Sequence, residues 1–451
     1  MLARQFGRET VNYFSSSPLN RLSFLRSDHP FLSAALKHPS TRFVILKDLA
    51  PLTKAPAEPY YARYDEIRTL VPDTIYDKSE EEILKAYDSR KTVAAPIFLG
   101  LDESASSSSQ QPPNGGEDGE GRLAWKNYAG RPYFALDITP RGSEEQQTLS
   151  KKVMEELEAK GLKFLQARVV MSFPANEGMS LPSLPLPLFL SFPRMEKPLV
   201  RVIQRMADFL FRLPSVAAIY AQARALIDWN TRNTFCGTCG HRTIAVHSGT
   251  KRACPPTDQA RVAEGLPAER PACNTRTTIS NLSFPRTDPT IIVAVISADA
   301  RRILLGRSKR FPPNWYSTLA GFIEPAESVE DAVRREVWEE AGVTLSRVVI
   351  HSSQPWPYPA NLMIGAIAQV SDVEHEKINL EHDPELEDAK WFDVAEVEEA
   401  LQNGVSALEG GPGPDYKEGG LRLPPPTAIA NQLIRAAISI DLLGGDKSSK
   451  M

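Results

Sequence analysis

Residues 321–343 read GFIEPAESVEDAVRREVWEEAGV, and this stretch decides how we interpret the C-terminal part of the chain. Ser328 and Asp331 fit a capping box and Gly342 suits a C-terminal cap, so we expect a helix that begins near residue 329. On such a helix, three glutamates share one face and a separate apolar face can dock on a sheet. The acidic face comprises Glu336, Glu339 and Glu340, and the apolar face Val333, Val337 and Ala341.

Three stacked glutamates repel one another on an isolated helix. One explanation for such a pattern is a solvated acidic face. The other is a divalent cation, because Mg²⁺ and Mn²⁺ prefer carboxylate oxygens and also bind substrate phosphates. A site for Mg²⁺ or Mn²⁺ and a solvated acidic face are therefore the two interpretations of this helix face.

All four cysteines of the chain lie in one short region, as Cys236, Cys239, Cys254 and Cys273. The first two form a C-x-x-C-G knuckle, and four thiolates would give a closed tetrahedral zinc site with no open position for water. Residues 255–272 then look like a surface insertion in the second knuckle. His241 and His247 are rival ligands, and reduced thiols without metal are the alternative.

Length and composition indicate a soluble protein of several domains. The 451 residues have a net charge of −4 and 42% hydrophobic residues, which does not favour a basic surface that coats nucleic acid. No stretch is long and apolar enough for a membrane-spanning helix, and four cysteines do not make a secreted disulfide scaffold. We expect no membrane contact.

The hydrophobic pattern predicts alternating strands and helices. Strands are expected at 42–52, 92–102, 132–139, 288–297, 301–310 and 315–322, and helical spacing occurs at 149–159 and 199–229. Residues 103–122 are rich in Ser, Gln, Pro and Gly and are expected to be disordered, and a proline-rich stretch spans 181–198. The predicted layout is an α/β domain (1–230), a cysteine module (231–286), a second α/β domain (287–440) and a tail (441–451).

The complete pattern of residues 321–343 resembles the Nudix box, the signature of the Nudix hydrolases. This resemblance implies an α/β/α sandwich and hydrolysis of a nucleoside diphosphate linked to another group. It also implies metal ligation by Glu336, Glu340 and the Ala320 carbonyl with help from Glu339, and a charge-assisted pair between Glu327 and Arg335. The general base would be Glu339 or Glu340.

Residues 353–361, SQPWPYPAN, carry three alternating prolines and two aromatic rings. Alternating prolines predict a stiff, extended loop, and flat rings suit stacking on a nucleobase or nicotinamide, although a proline-rich surface turn with a buried Trp is the alternative. The run resembles the signature SQPWPFP-x-S of the NADH pyrophosphatases, the Nudix subfamily that also removes NAD caps from RNA. Tyr358 replaces Phe and Asn361 replaces Ser.

The subfamily resemblance extends over nearly the whole chain, apart from 103–122 and 255–272. It implies a degenerate Nudix-like N-terminal domain, a zinc ribbon and a C-terminal Nudix domain. It further implies an additional metal ligand, Glu385, and a substrate site shared between the chains of a homodimer. The residues assigned to substrate are Phe284, Ser353, Gln354, Pro355, Trp356, Pro357, Tyr358, Pro359, Ala360 and Ala430.

The predicted activity is metal-dependent hydrolysis of the pyrophosphate bond of NADH, and less efficiently of NAD⁺, to the nicotinamide mononucleotide and AMP. The alternatives are removal of NAD caps from RNA, another substrate such as ADP-ribose or a CoA derivative, and a non-catalytic zinc-ribbon binding module.

The two ends of the chain carry targeting signals to consider. The ending Ser449-Lys450-Met451 differs from the peroxisomal address S-K-L only in its last residue, and a flexible Gly-rich tail would leave it free for the import receptor. This predicts a peroxisomal protein with a cytosolic pool. The basic N-terminus is compatible with a mitochondrial transit peptide, but residues 11–26 resemble the start of the family's Nudix-like domain, which argues against cleavage.

Overall fold

The computed structural model describes residues 10–91, 95–104, 121–166, 216–277 and 282–444. Several sequence predictions lie outside these ranges, namely most of the 103–122 loop, the 181–198 stretch, the first part of the 199–229 helix and the C-terminal tripeptide. No helix within the described ranges is both long and apolar enough to cross a membrane.

The N-terminal part is a nine-stranded mixed sheet between helices, with a central order β1-β6-β8-β2-β3-β4. Its strands are β1 (Leu19–Asn20), β2 (Arg42–Lys47), β3 (Ala50–Ala55), β4 (Glu58–Pro59), β5 (Tyr61–Ala62), β6 (Ile97–Asp102), β7 (Leu123–Trp125), β8 (Tyr128–Asp137) and β9 (Lys163–Phe164). Its helices are α1 (His29–Lys37), α2 (Tyr64–Ile67), α3 (Glu80–Lys85), α4 (Glu144–Ala159) and α5 (Val216–Arg232).

The alternation along β2 explains why this sheet is covered on both faces. Phe43 and Ile45 enter one hydrophobic cluster with α1 and α4, whereas Val44 and Leu46 enter another with α5. The predicted strand 42–52 is two strands, because the backbone turns at Asp48 and Leu49, both with positive φ.

The cysteine region folds into a small three-stranded sheet, in the order β10-β11-β12. It contains β10 (Ile244–Val246), β11 (Lys251–Ala253) and β12 (Leu282–Ser283), and the short helices α6 (Gln259–Ala263) and α7 (Asn274–Thr277).

The insertion 255–272 lies largely at the surface, as predicted, but it also contains a buried ion pair. Arg270 donates from Nη2 to Asp258 Oδ2 (2.6 Å), and the other carboxylate oxygen of Asp258 accepts from the Ser89 N–H (2.9 Å). The Gln259 N–H donates to the Tyr87 carbonyl (2.8 Å). Burial alone would raise the pKa of Asp258, but these hydrogen bonds outweigh it and lower the pKa. The insertion therefore anchors the cysteine module to the segment that follows α3.

Breaking this pair is expected to destabilise the protein. Asp258→Ala leaves the Arg270 guanidinium buried without a counter-charge, so we expect the free energy of unfolding to fall by about 3 kcal/mol. Urea denaturation followed by circular dichroism measures this. Glu81→Ala removes an exposed ion pair with Lys85 nearby and is the control, with no measurable change expected. Equal stability of Asp258→Ala and the parent would contradict the anchoring role.

The C-terminal part is an α/β/α sandwich around a six-stranded sheet, in the order β16-β17-β13-β14-β18, with β15 paired to β13. Its strands are β13 (Asp288–Ile296), β14 (Arg302–Ser308), β15 (Leu319–Phe322), β16 (Leu345–Trp356), β17 (Asn361–Val370) and β18 (Leu386–Asp393), and its helices α8 (Val329–Ala341), α9 (Val394–Asn403) and α10 (Ile429–Gly444). The predicted strand 315–322 is shorter, since Trp315 and Ser317 form only isolated bridges.

Central strand β13 contributes to both layers of this sandwich. Ile291, Val293 and Val295 pack with α8, whereas Ile292 and Ala294 pack with α9 and α10. The predicted helix begins and ends as expected, because Ser328 Oγ accepts from the Asp331 N–H and Gly342 takes a left-handed conformation (φ 71°). This packing places the acidic face of α8 beside β15.

Candidate active site

Arg335 on α8 ties the helix to the preceding loop. Its Nε and Nη2 donate to the two carboxylate oxygens of Glu327, at 2.7 and 2.8 Å. This is a bidentate, charge-assisted pair, and the side-chain hydrogen bond from Arg335 is the main reason why the pKa of Glu327 is lowered. Nη2 also donates to the Phe322 carbonyl (2.8 Å), so the arginine closes the loop from β15 onto the helix.

The same guanidinium orients two glutamates of the acidic face. Nη1 of Arg335 donates to Glu336 Oε1 and to Glu339 Oε2, both at 2.9 Å. Burial nevertheless raises the pKa of Glu336, helped by nearby negative charge. Arg335 therefore positions the carboxylates of Glu336 and Glu339 relative to each other.

Glu340 is the most deeply placed carboxylate of the site. It is 5% exposed. Burial, and then the charges of Glu336, Glu385 and Asp383, raise its pKa to about 8. Its Oε2 atom is buried and has no hydrogen-bond partner among the described residues. A raised pKa and an unpaired oxygen together indicate that the buried Glu340 carboxyl has no positively charged group beside it in the part of the chain that the structure describes.

The donor set fits a hard divalent cation. The orphaned Oε2 atom of Glu340 is the observation that calls for a ligand, and Glu336 and Glu385 lie near enough for their charges to raise the Glu340 pKa. Ala320 lies on β15, opposite Ile292 of β13, and is partly buried.

The SQPWPYPA run is placed differently from the extended loop that its prolines predict. Gln354 and Trp356 lie on edge strand β16, which pairs with β17, and only residues 357–360 form the turn. Gln354 is 1% exposed, whereas Ser353 and Pro359 are exposed. The Trp356 and Tyr358 rings meet edge to face with centroids 5.4 Å apart, and both are half-buried.

Two assigned substrate residues lie elsewhere. Phe284 follows β12 and is 60% exposed, with the Lys251 ammonium 4.7 Å above its ring. Ala430 is buried on α10, next to Ile429, whose N–H donates to Gln354 Oε1. The structure thus connects Ala430 to the SQPWPYPA run and places Phe284 on the cysteine module.

The four cysteines converge on one point. Their sulfur atoms all lie within 4.8 Å of one another. The separations Cys236–Cys273 (3.8 Å) and Cys239–Cys254 (3.7 Å) match the edge of a tetrahedron with Zn–S bonds of about 2.3 Å. The arrangement fits a structural zinc site.

The rival histidine ligands have other contacts. His241 Nδ1 lies 3.0 Å from the Cys239 carbonyl oxygen, and His247 Nε2 lies 3.5 Å from Glu80.

The pKa values of the thiols also favour a bound cation, because the four groups do not ionise equally easily. Burial opposes ionisation of Cys236, but hydrogen bonds from Thr275 and from backbone N–H groups outweigh it and lower the pKa to about 6. Burial and the neighbouring thiols raise the pKa of Cys254 to about 12. Four thiolates so close together therefore need a metal ion to ionise together.

Comparison with known families follows the same division of the chain. Residues 286–408 match the NUDIX domain, residues 232–260 the NADH pyrophosphatase zinc ribbon domain, and residues 40–181 the NADH pyrophosphatase-like rudimentary NUDIX domain. The NAD-capped RNA hydrolase NPY1 of Saccharomyces cerevisiae is 32% identical over 445 residues, which cover 94% of each chain. The chain belongs to the Nudix hydrolase family.

Other relatives of this Nudix hydrolase match over similar lengths. The NAD-capped RNA hydrolase of Schizosaccharomyces pombe is 30% identical and is covered to 95%, with 96% of the present chain aligned. The human NAD-capped RNA hydrolase NUDT12 is 32% identical, over 96% of this chain and 74% of its own length.

Sequence reasoning assigned Glu385 but missed Asp383, which lies in the same segment. The Asp383 N–H donates to the Glu339 carbonyl (3.1 Å), and the rings of Trp338 and His382 stack with centroids 4.3 Å apart. These contacts dock the segment on the end of α8 and bring Asp383 near Glu340. The acidic run at 381–388 was the sequence feature that could have indicated Asp383. The run lacks helical or strand periodicity, so the sequence did not show which of its acidic residues face the site.

Gly321 provides a sharp test of this geometry. A Cβ atom there would lie 1.9 Å from the Glu336 carboxyl carbon, so Gly321→Ala must displace that carboxylate. Because the clash is with the end of a flexible side chain, the fold should tolerate it. We expect turnover to fall about 100-fold, as for a misplacement of about 1 Å, with little change in melting temperature. Steady-state kinetics and thermal melts measure the two effects.

Gly411→Ala is the matched control, because a Cβ atom at Gly411 meets nothing within 4 Å. Parental turnover in Gly321→Ala would show that the position of the Glu336 carboxylate does not matter.

Proposed function

We propose that this protein hydrolyses the pyrophosphate bond of NADH, and less efficiently that of NAD⁺, to the nicotinamide mononucleotide and AMP. The observation that carries the proposal is the buried carboxylate of Glu340 on α8, which has an unpaired oxygen and is influenced by the charges of Glu336 and Glu385. Similarity to NAD-capped RNA hydrolases over nearly the whole chain supports a nicotinamide dinucleotide as substrate.

In the proposed site, Glu336, Glu340, Glu385 and the Ala320 carbonyl would hold Mg²⁺ or Mn²⁺. Bound there, the cation would neutralise diphosphate charge and lower the pKa of water. Glu339 or Glu340 would accept the proton of the attacking water as the general base. Arg335 would keep Glu336 and Glu339 in place through the hydrogen bonds described above, and Glu327 would keep Arg335 in place.

We assign recognition of the dinucleotide to Phe284, to residues 353–360 and to Ala430. Trp356 and Tyr358 are half-buried rings whose orientation is held by packing, which lowers the ordering cost of stacking on a base. Phe284 is an exposed ring that a bound nucleotide could cover.

The decisive experiment is a substrate panel with product identification, run with Mg²⁺ and with Mn²⁺. NADH, NAD⁺, ADP-ribose and a CoA derivative are compared by their specificity constants. The proposal expects NADH to be hydrolysed best and to yield AMP. A preference for ADP-ribose or the CoA derivative would overturn the substrate assignment, and no hydrolysis at all would favour a non-catalytic binding module.

Removal of NAD caps from RNA is a second candidate, favoured by the similarity to NAD-capped RNA hydrolases of two yeasts and of human. The bond cleaved and the residues involved would be the same. Comparing the specificity constants for free NADH and for a short NAD-capped RNA separates the two candidates.

The assembly and location of the enzyme complete the proposal. We infer three structural units at 1–230, 231–286 and 287–440. We also infer a homodimer whose substrate site is shared between chains, and analytical ultracentrifugation tests the dimer.

We further infer a peroxisomal enzyme with a cytosolic pool. The import receptor would recognise it through Ser449-Lys450-Met451. A fluorescent reporter carrying the last dozen residues should collect in peroxisomes, and a diffuse cytosolic signal would refute the address.

A further inference from the structure

The N-terminal segment of the chain contacts the edge strand of the catalytic sheet. Asn12 Nδ2 donates to the Ser353 carbonyl (2.9 Å) and to Ser352 Oγ (3.0 Å). Asn12 is 2% exposed, so these hydrogen bonds are shielded from water. The segment therefore fixes β16 just before the SQPWPYPA turn.

Gln354 joins the same segment to the last helix. Its Nε2 donates to the carbonyls of Tyr13 and Thr427, both at 3.0 Å, and its Oε1 accepts from the Ile429 N–H (2.9 Å). Both amide donors and the amide oxygen are engaged, and the side chain is buried. These contacts fix the position of Gln354 between the N-terminal segment and α10.

Phe14 supports the two aromatic rings of the turn. Its ring meets Trp356 edge to face at 6.1 Å and Tyr358 at 6.4 Å, and it is 3% exposed. Phe14 has a left-handed backbone (φ 67°), which is unfavourable for a residue with a side chain and persists only where packing holds it. The aromatic turn thus rests on the hydrophobic cluster of the N-terminal part.

Arg224 on α5 holds the turn from another side. Its guanidinium carbon lies 4.8 Å from the centroid of the Tyr358 ring, and Nη1 donates to the Pro357 carbonyl. A cation over the ring and a charge-assisted hydrogen bond to the adjacent backbone together define the direction of Tyr358.

We propose that the N-terminal part of the chain supports dinucleotide binding, because Asn12, Phe14 and Arg224 act as positioning residues for Trp356 and Tyr358. Helix α8 packs on one face of the C-terminal sheet, whereas α10, which contacts Gln354, packs on the other face. Loss of the contacts with the N-terminal part should therefore change dinucleotide binding and leave the chemical step in place. The inference rests on the proposed role of residues 353–360 in dinucleotide recognition. It gives the N-terminal part of the chain a function in dinucleotide binding.

Arg224→Gln tests this inference in the full-length, zinc-loaded protein. We expect the KM for NADH to rise about tenfold with kcat changed less than about twofold, because the variant loses the cation and the charged hydrogen-bond donor. Arg224→Lys retains a cation and should recover most of the parental KM. Arg232→Gln is the matched control, since Arg232 lies on the same helix but pairs with Asp228 (2.9 Å), and it should behave as the parent.

Circular dichroism checks that each variant is folded, and Asn12→Ala provides a second route to the same KM increase if Arg224→Gln does not fold. A parental KM in the folded variants would overturn the inference, as would Arg224→Lys being no better than Arg224→Gln. A fall in kcat at constant KM would overturn it too. If the parent itself does not hydrolyse NADH, the proposed function fails instead.

Discussion

Replacing Glu340 with glutamine is expected to lower NADH turnover about 1,000-fold with the fold intact. Glutamine has nearly the same shape but no charge, so it fills the buried position and cannot balance a divalent cation. Steady-state kinetics at saturating metal measures the loss. Glu330→Gln, in the first turn of the same helix, is the control and should retain most of the activity. Equal hydrolysis by Glu340→Gln and the parent would refute the mechanism.

Glu340→Gln lowers turnover, but we expect it to raise the stability of the protein when Mg²⁺ or Mn²⁺ is absent. The pKa of Glu340 rises from an ordinary 4.5 to about 8 on folding, so the folded chain binds more protons than the unfolded chain in this range. The contribution of this group to stability is therefore present below about pH 4.5 and is lost as the pH rises through about 8. Glutamine removes this titration.

Thermal melts without added divalent metal test the sign of this effect. At pH 8 we expect Glu340→Gln to melt a few degrees above the parent, and at pH 5 the two should melt closely together. A lower melting temperature for the variant at pH 8 would mean that the ionised carboxylate has a favourable partner in the protein.

Local signals explain why the catalytic helix could be predicted from the sequence. The cap at Ser328, the left-handed Gly342 and the spacing of the glutamates all act within one or two turns. They determine the helix ends and the acidic face without reference to other segments. The convergence of the four cysteines could also be predicted, because a structural zinc site requires four ligands around one point and the chain has four cysteines in one short region.

Contacts between distant segments account for what could not be predicted. Pro355 lies within a strand because β16 is at the edge of the sheet, where a missing N–H donor is tolerated. Asp258 and Arg270 are buried because they meet residues 87–89, about 170 positions earlier in the chain. The support of Trp356 by Phe14 likewise joins residues 342 positions apart, and no local pattern encodes it.

Removing one zinc ligand is expected to have the largest effect on folding. Cys254 is 1% exposed and holds the second half of the cluster, so Cys254→Ser should abolish tight zinc binding. Structural zinc contributes about 10 kcal/mol or more to the folding of small modules, and we expect the melting temperature to fall by at least about 10 °C. Elemental analysis and thermal melts measure zinc content and stability.

The loss of zinc should also reach the N-terminal sheet. Ser248, on the turn between β10 and β11, accepts from the Phe98 N–H (3.2 Å) and shares a hydrogen bond with the buried Tyr76 hydroxyl (2.8 Å). A zinc ion held by the four cysteines would hold this module together, so its loss is expected to release these contacts along with the buried pair of the insertion. His241→Ala is the matched control, since that imidazole lies outside the sulfur cluster, and it should keep one equivalent of zinc. A full equivalent in Cys254→Ser, or less than about half an equivalent in the parent, would contradict a four-cysteine zinc site.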